Sequence, residues 1–548
     1  MHMCLIRLDQ VNRKPEQMPY YTPLDPVRFL LRSAMIYRDK TAVIHGDRSF
    51  SYETLADRVL RLANLLIHAF HVRPGDRVAV LCQNVPAFLE ATFAIPAAGG
   101  VLVPINTRLA PPEIEYVVQD SGASILLVQD EILPRVSTTV RASTKLIHIA
   151  DYQNRGDPLC PYERLLQETE TKLMWKDLPL TTDENAIMTI NYTSGSTGKP
   201  KGAMISYRSI YMLAMTMCIQ AQITHSSKYL WTLPLFHCNG WDFPFALMAV
   251  GATQYMLNKI DYGYVWKLIK EQGITHYCAA PTVQNELCHH KDAVRLNHVV
   301  HSFSGGSTLP NKLVRRLNSL NVHVTQVYGL TEVTGPAILS YDDGALSQHP
   351  KEKHLDLFSR QGYNILSLDQ VRVLDQKTAK DIKPDGMQIG ELCLVGNTTM
   401  RGYFNNPEAT KKAFREGYFW TGDLAVIYPD GAIEIVDRAK DVIISGGENI
   451  SSIELENVIG SLEKVLECAV VAGPDDKWGE RPVAYVVVKE GHTITVEEII
   501  AHCRERLAGY KCPSKVMLVK SIPKSGTGKL QKNLLRDELW KSHKRRIN

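Results

Sequence analysis

Apolar residues in the first third of the chain recur at two periods. Between positions 52 and 70 they fall at Leu55, Val59, Leu62, Leu65 and Leu66, three or four residues apart, which predicts an amphipathic helix. Pro74-Gly75-Asp76 then makes a turn, and Arg77-Val78-Ala79-Val80-Leu81 is a short apolar run of the kind a buried strand carries. Residues 86–94 read as a helix and Gly100-Val101-Leu102-Val103-Pro104 as another buried strand. Strand, helix and strand at this spacing predict a parallel sheet covered by helices. The pattern returns at 124–129, 145–149, 275–278 and 322–327.

From about Gln370 the texture changes. Residues 371–374, 390–395 and 432–436 alternate like half-buried strands, with Pro384-Asp385-Gly386 and Pro429-Asp430-Gly431 as turns between them. Beyond Asp437 mixed structure resumes, with helices at 453–461 and 496–507 and strands at 465–472 and 483–488. The expected architecture is multidomain α/β. A large N-terminal domain over 1–436 holds parallel-rich sheets with helices and a small β-rich subdomain at about 365–436, and a small α+β C-terminal domain covers 437–548.

Composition narrows the function classes without choosing one. With 548 residues, 45% hydrophobic and 22% charged, the chain is neither disordered nor collagen-like nor membrane-spanning. A net charge of +4 gives no broad basic surplus, so nucleic acid is excluded as the main partner. Eleven cysteines at irregular spacing, with no CxxC pair, argue against a disulfide framework or a zinc site. Residues 1–13 have no apolar signal core, and the apolar run 94–105 is interrupted by Pro and Gly and too short to cross a bilayer. These features lead to the expectation of an intracellular, cytoplasmic protein. Arg546-Ile547-Asn548 does not support a peroxisomal signal of the SKL type. Arg61-Leu62 with His68-Ala69 mimics the spacing of an N-terminal peroxisomal signal, but it lies within a helical pattern and reads as helix surface.

The most informative stretch is Tyr192-Thr193-Ser194-Gly195-Ser196-Thr197-Gly198-Lys199-Pro200-Lys201-Gly202. Glycines let backbone N–H groups converge, hydroxyls add donors and lysines add charge, all of which suit a polyphosphate. Alone, such a cluster is more often a flexible turn. It is not a Walker A loop, because Pro200 follows Gly198-Lys199. Four further blocks follow. They are Tyr328-Gly329-Leu330-Thr331-Glu332, preceded by Ser304-Gly305-Gly306-Ser307; Tyr418-Phe419-Trp420-Thr421-Gly422-Asp423-Leu424; Asp437-Arg438-Ala439-Lys440-Asp441 with Ser445-Gly446-Gly447-Glu448; and Pro523-Lys524-Ser525-Gly526-Thr527-Gly528-Lys529-Leu530.

In this order the blocks resemble the acyl-adenylate-forming superfamily, which holds acyl-CoA synthetases, adenylation domains and luciferases. The resemblance spans residues 192–530. It implies that Thr193, Ser194, Ser196 and Thr197, in a loop with Gly195, Gly198 and Lys199, meet the β- and γ-phosphates of ATP, with Lys201 in electrostatic support. It implies that Tyr328 stacks on adenine, that Thr331 meets the α-phosphate and that Glu332 holds Mg2+. Gly305, Gly306, Ser307 and Gly329 would lie against the adenine and the acyl pocket. Asp423 would accept the ribose hydroxyls and Arg438 would contact ribose or phosphate. Lys440 would be the hinge of a mobile C-terminal domain, Gly446 and Gly447 would line a pantetheine tunnel, and Lys529 would be the catalytic lysine of adenylation.

Phe236-His237-Cys238-Asn239-Gly240-Trp241 resembles medium-chain, aryl and plant acyl-activating ligases. It implies a gate or orienting role for His237 and a cavity-wall role for Trp241. Gly329 stands where acetate-selective synthetases carry Trp, so the resemblance implies a pocket deeper than acetate needs, each added methylene contributing about 0.8 kcal/mol.

The implied activity is an ATP-dependent acyl-CoA ligase. It would activate a short-to-medium-chain or aromatic monocarboxylic acid as acyl-AMP, then form the coenzyme A thioester. The alternatives are loading of a carrier-protein pantetheine, a luciferase-like oxygenase, or a non-catalytic scaffold; retention of Glu332, Lys529 and the loop weighs against the last. The implied partners are a small carboxylic acid, ATP and CoA with Mg2+, on a monomer or homodimer with no transmembrane segment.

Overall fold

A computed structural model describes residues 21–150, 160–193, 199–306, 309–358, 360–445, 448–524 and 530–541. Among these residues four sheets form. The first has the spatial order Lys145–Ile149, Ile125–Gln129, Arg77–Leu81, Val101–Pro104, Ile187–Tyr192 and Gly202–Ser206. Its first five strands run parallel and the last returns antiparallel. The central parallel strands are mostly apolar because helices cover both faces; Ile125–Gln129 is buried at every position, whereas the edge strand Lys145–Ile149 carries the exposed Lys145. Helix Pro86–Ala97 is likewise buried on all sides, which is why its apolar residues show no stripe.

The second sheet has nine strands, from Tyr363–Asn364 at one edge to Arg48–Ser51 at the other, with the parallel pair Val300–Gly305 and Val322–Leu330 near one side. The third is antiparallel. It joins Gln370–Leu374, Gly390–Val395, Tyr418–Ile427 and Phe414–Arg415, with Ile433–Arg438 paired on Tyr418–Ile427. The alternating texture after Gln370 is this sheet. The fourth joins Glu448–Ile450, Ile443–Ser445, Gly479–Val488 and Val465–Asp475, with Lys515–Leu518 alongside, and carries helices Ser452–Gly460 and Val496–Arg504 around a core of its own. The α/β expectation, with parallel-rich sheets followed by a β-rich unit and a final α+β unit, describes this architecture.

Helix Tyr52–His68 starts where Ser51 accepts a hydrogen bond from the Thr54 N–H. Arg61 lies on its surface, 2.7 Å from Asp57, and Leu62 is fully buried, so the signal-like spacing is folded helix. The same helix carries a buried charge. The Arg58 guanidinium donates to Glu90 and Glu163, both at 2.7 Å, and Glu90 also accepts from the Tyr162 hydroxyl. Glu90 is wholly buried and has Arg58 as its cation, whereas Glu163 also faces Arg48 at 3.1 Å. Arg58→Met would leave the buried Glu90 without its cation, while Glu163 keeps Arg48. It is expected to cost about 3–5 kcal/mol, read as a lower midpoint in urea, whereas Arg61→Met should move the midpoint little.

Candidate active site

The phosphate-type loop joins two antiparallel strands, Ile187–Tyr192 and Gly202–Ser206, rather than a strand and a helix. Among the described residues no helix starts at its end, so no helix dipole adds to the Lys199 and Lys201 charges there. The hairpin closes where the Thr193 N–H donates to the Lys201 carbonyl at 2.9 Å. Gly202 is required by packing: a Cβ there would lie 2.6 Å from Ile190 Cγ2. Tyr192 donates to Asp120 at 2.6 Å, and the Lys199 ammonium lies 5.3 Å from the centre of the Tyr116 ring. Ser194, Gly195, Ser196, Thr197 and Gly198 lie outside the described residues.

A second wall is built at the end of strand Val322–Leu330, where Thr331–Val333 forms a 3-10 turn. Glu332 is half-buried, and its Oε1 accepts the Tyr403 hydroxyl at 2.8 Å. The Glu332 carbonyl accepts the Met400 N–H at 2.8 Å. The Tyr403 ring lies under Lys201, with Nζ 4.6 Å from its centre. Burial and then Glu332 push the Tyr403 phenol well up, so it is a donor at neutral pH. Thr331 Oγ1 lies 3.3 Å from the Cys238 thiol, which burial above all pushes up to about 12. Neither Tyr403 nor Cys238 stood out in the sequence.

Asp423 joins three blocks. It is almost fully buried on strand Tyr418–Ile427, accepting the Tyr328 hydroxyl at 2.7 Å and facing Arg438 Nε at 3.2 Å. Register sets the second contact, because Asp423 and Arg438 are paired positions on neighbouring strands. Burial and the Asp423 charge push the Tyr328 phenol far up. Burial works against the Arg438 charge, but Asp423, Tyr328, Asp441 and Glu332 together outweigh it, so Asp423 and Glu332 act on one guanidinium. Two residues on, the Lys440 ammonium is pushed down to about 8, first by burial and then by Arg438. The Lys440 carbonyl and Asp441 both accept from the buried Arg536, at 3.0 and 2.7 Å.

The segment bearing His237 is strained. Cys238, Asn239, Gly240, Trp241 and Asp242 all have positive φ, a left-handed turn that costs L-residues about 1–2 kcal/mol each. Asn84 holds the approach, donating to the Trp231 and Leu233 carbonyls and accepting from the Leu235 N–H. Gly240 sits where a Cβ would lie 2.7 Å from the Trp231 ring. The turn delivers the Trp241 indole against Gly305, where a Cβ would meet it at 3.2 Å. Gly306 has φ +92 with open space around it. Gly329 has a structural cause of its own: a Cβ there would lie 1.9 Å from the Gly335 carbonyl oxygen on the neighbouring strand. His237 is half-buried immediately before the turn. The structure thus gathers Thr331, Glu332, Tyr328, Asp423, Arg438 and Lys201 about one cleft, with Trp241 and Gly305 in contact beside it. Ser307, Gly446, Gly447 and Lys529 lie outside the described residues.

The profile of the AMP-binding enzyme family matches residues 30–404, and that of the AMP-binding enzyme C-terminal domain matches 454–529. A probable acyl-activating enzyme 12, peroxisomal, of Arabidopsis thaliana is 39% identical over 94% of this chain and 93% of its own. The peroxisomal benzoate–CoA ligase of the same plant is 38% identical over the same shares. Among solved structures, o-succinylbenzoate CoA synthetase of Bacillus subtilis, in complex with its acyl-adenylate intermediate, superposes with a TM-score of 0.80. It is 27% identical, over 93% of this chain and 98% of its own. The peroxisomal names of the plant relatives overturn the cytoplasmic expectation and point to the peroxisome instead. Composition and charge misled because an address is a short receptor-read segment that leaves no mark on either.

The Asp423 contacts carry a stability prediction. Asp423→Ala removes the acceptor of Tyr328 and the counter-ion of Arg438, which is about a third exposed. The expected loss is about 1–3 kcal/mol, measured by thermal unfolding, with Asp423→Asn intermediate because an amide oxygen still accepts from Tyr328.

Proposed function

The chain belongs to the AMP-binding enzyme family and is an acid–thiol ligase; we propose that its acid is a short-to-medium-chain or aromatic monocarboxylate. The reaction runs through acyl-AMP to the CoA thioester. In the first half, a carboxylate oxygen attacks the α-phosphorus of ATP. The bond to the β-phosphate oxygen breaks and pyrophosphate leaves. In the second, the CoA sulfur attacks the acyl carbonyl, its proton departs, and AMP leaves. Neither step needs a protein nucleophile, so positioning and charge carry both.

The observation that best supports this reading is the convergence on one cleft of residues from four separated blocks: Lys201, Tyr328 with Glu332, Asp423, and Arg438. Asp423 is placed to accept ribose hydroxyls and Arg438 to contact ribose or phosphate beside it. Thr193 and Lys201 close the loop that, with Ser194, Ser196 and Thr197, holds the β- and γ-phosphates. Lys199 and Lys201 stand in for the missing helix dipole. Thr331 meets the α-phosphate, with Tyr328 and Gly305–Gly306 against adenine. The Glu332 carboxylate fits Mg2+: it is a hard oxygen donor, and Mg2+ is usually held by one or two carboxylates plus substrate phosphates. Bound there, the ion neutralises phosphate charge.

Residues 1–436 form the nucleotide- and acyl-binding domain and 437–548 the mobile domain, turning at Lys440. Lys529 offsets charge on the α-phosphoryl oxygens during adenylation. Rotation then replaces it with Gly446 and Gly447, which line the pantetheine path, while His237 and Trp241 gate the acyl cavity. A carrier-protein acceptor is disfavoured, since CoA is the acceptor named for the benzoate relative.

A pyrophosphate-release screen over carboxylic acids, with and without CoA, tests the substrate class. Hexanoate, octanoate or benzoate should exceed acetate in kcat/KM; the reverse order overturns the assignment. Lys529→Ala should lower pyrophosphate release at least about 100-fold, yet largely spare thioester formation from supplied acyl-AMP. Equal loss of both half-reactions would remove Lys529 from this role.

A further inference from the structure

We propose that Tyr403 is a positioning residue that couples the phosphate loop to the Glu332 carboxylate, the hydroxyl serving the acid and the ring serving Lys201. The inference rests on the reading of Glu332 given above. Four backbone contacts lay residues 400–404 against strand Gly202–Ser206 and the turn after strand Val322–Leu330. The Met204 N–H donates to Gly402, Arg401 to Met204, Phe404 to Gly202, and Met400 to Glu332, all between 2.7 and 2.9 Å. An isolated bridge pairs Ala203 with Tyr403 itself. The segment is thus an extra rung on the strand that leaves the phosphate loop.

On this rung Tyr403 is 7% exposed, so its ring has little freedom. One edge gives the 2.8 Å hydrogen bond to Glu332 Oε1, and one face carries the Lys201 ammonium at 4.6 Å. Two groups of opposite charge, from blocks about 130 residues apart in sequence, are held at a fixed separation by one aromatic side chain. A bare Glu332–Lys201 ion pair would draw the two together and spend both charges on each other. Placed between them, the ring holds the Lys201 ammonium on its face while its hydroxyl takes the carboxylate. The hydroxyl occupies one carboxylate oxygen, which orients the other.

The test uses ATP binding by calorimetry without any acid substrate, at varied free Mg2+, on the full chain. Tyr403→Phe keeps the ring and loses the hydroxyl. The free Mg2+ giving half-maximal ATP affinity should rise about 3–10-fold, the usual effect of losing one side-chain hydrogen bond. ATP binding without Mg2+ should not move. Glu332→Gln should raise the Mg2+ requirement at least as far, and the double variant no further. Tyr403→Leu should in addition weaken Mg2+-free ATP binding, because Lys201 loses its platform. AMP binding, which uses neither outer phosphate, should survive in Tyr403→Phe.

If Glu332→Gln shifts the Mg2+ requirement and Tyr403→Phe does not, the coupling role is wrong and the Glu332 reading stands. If neither shifts it, the Glu332 reading fails and the coupling fails with it. Loss of AMP binding in Tyr403→Phe would make Tyr403 a general packing residue and overturn the proposal.

Discussion

One buried carboxylate governs the arrangement of this molecule. Asp423 lies on the β-rich sheet, takes a hydrogen bond from Tyr328 at the end of a strand in the nine-stranded sheet, and faces Arg438 on the strand that leads into the last unit. Burying such a charge is tolerable only with partners in place. Its partners come from two other blocks: Tyr328 ties the nine-stranded sheet to the β-rich sheet, and Arg438 pairs with Asp423 across neighbouring strands of the β-rich sheet itself. What the charge demands for stability also builds the nucleotide cleft. Its local cations, Arg438 and Lys201, are few, and a chain of net charge +4 can supply them without a basic surface.

The same economy appears at the exit of the cleft. Arg536, buried on helix Lys532–Trp540, binds the Lys440 carbonyl and Asp441. Lys532 on the same helix reaches Glu456 and the Ser452 hydroxyl, and the Ser452 N–H donates to Asp437 at 2.6 Å. The short stretch 437–441 is therefore flanked by ion pairs of the last unit on one side and by the Asp423–Arg438 contact on the other. A proposed rotation at Lys440 needs no small residue, only backbone freedom in a segment whose two ends are anchored.

Much of this was legible in the chain. Residues 77–81 read as a strand because four apolar residues follow a turn, and 145–149 because it repeats that strand-and-helix spacing; the structure places strands at both positions. Strand Val322–Leu330 runs past the expected end at Val327 because Gly335–Leu339 folds back to pair with it, a tertiary cause. The cleft residues were legible as blocks, whereas their contacts were not. Tyr403 sits in Arg401-Gly402-Tyr403, where nothing in spacing or composition announces a carboxylate 71 positions away. The left-handed turn at Cys238–Asp242 was equally hidden, since four of its five residues are not glycine. Strain of that kind is imposed by surroundings, here by the Asn84 contacts and the packing of Trp231, and no local propensity encodes it.

The central claim is that this cleft lets a carboxylate attack the α-phosphorus of ATP. Supplying the acid with both carboxylate oxygens as 18O, with ATP and CoA, and weighing the AMP formed tests it directly. The account predicts one 18O in each AMP and none in pyrophosphate. Unlabelled AMP, or label appearing in inorganic phosphate alongside ADP, would contradict it.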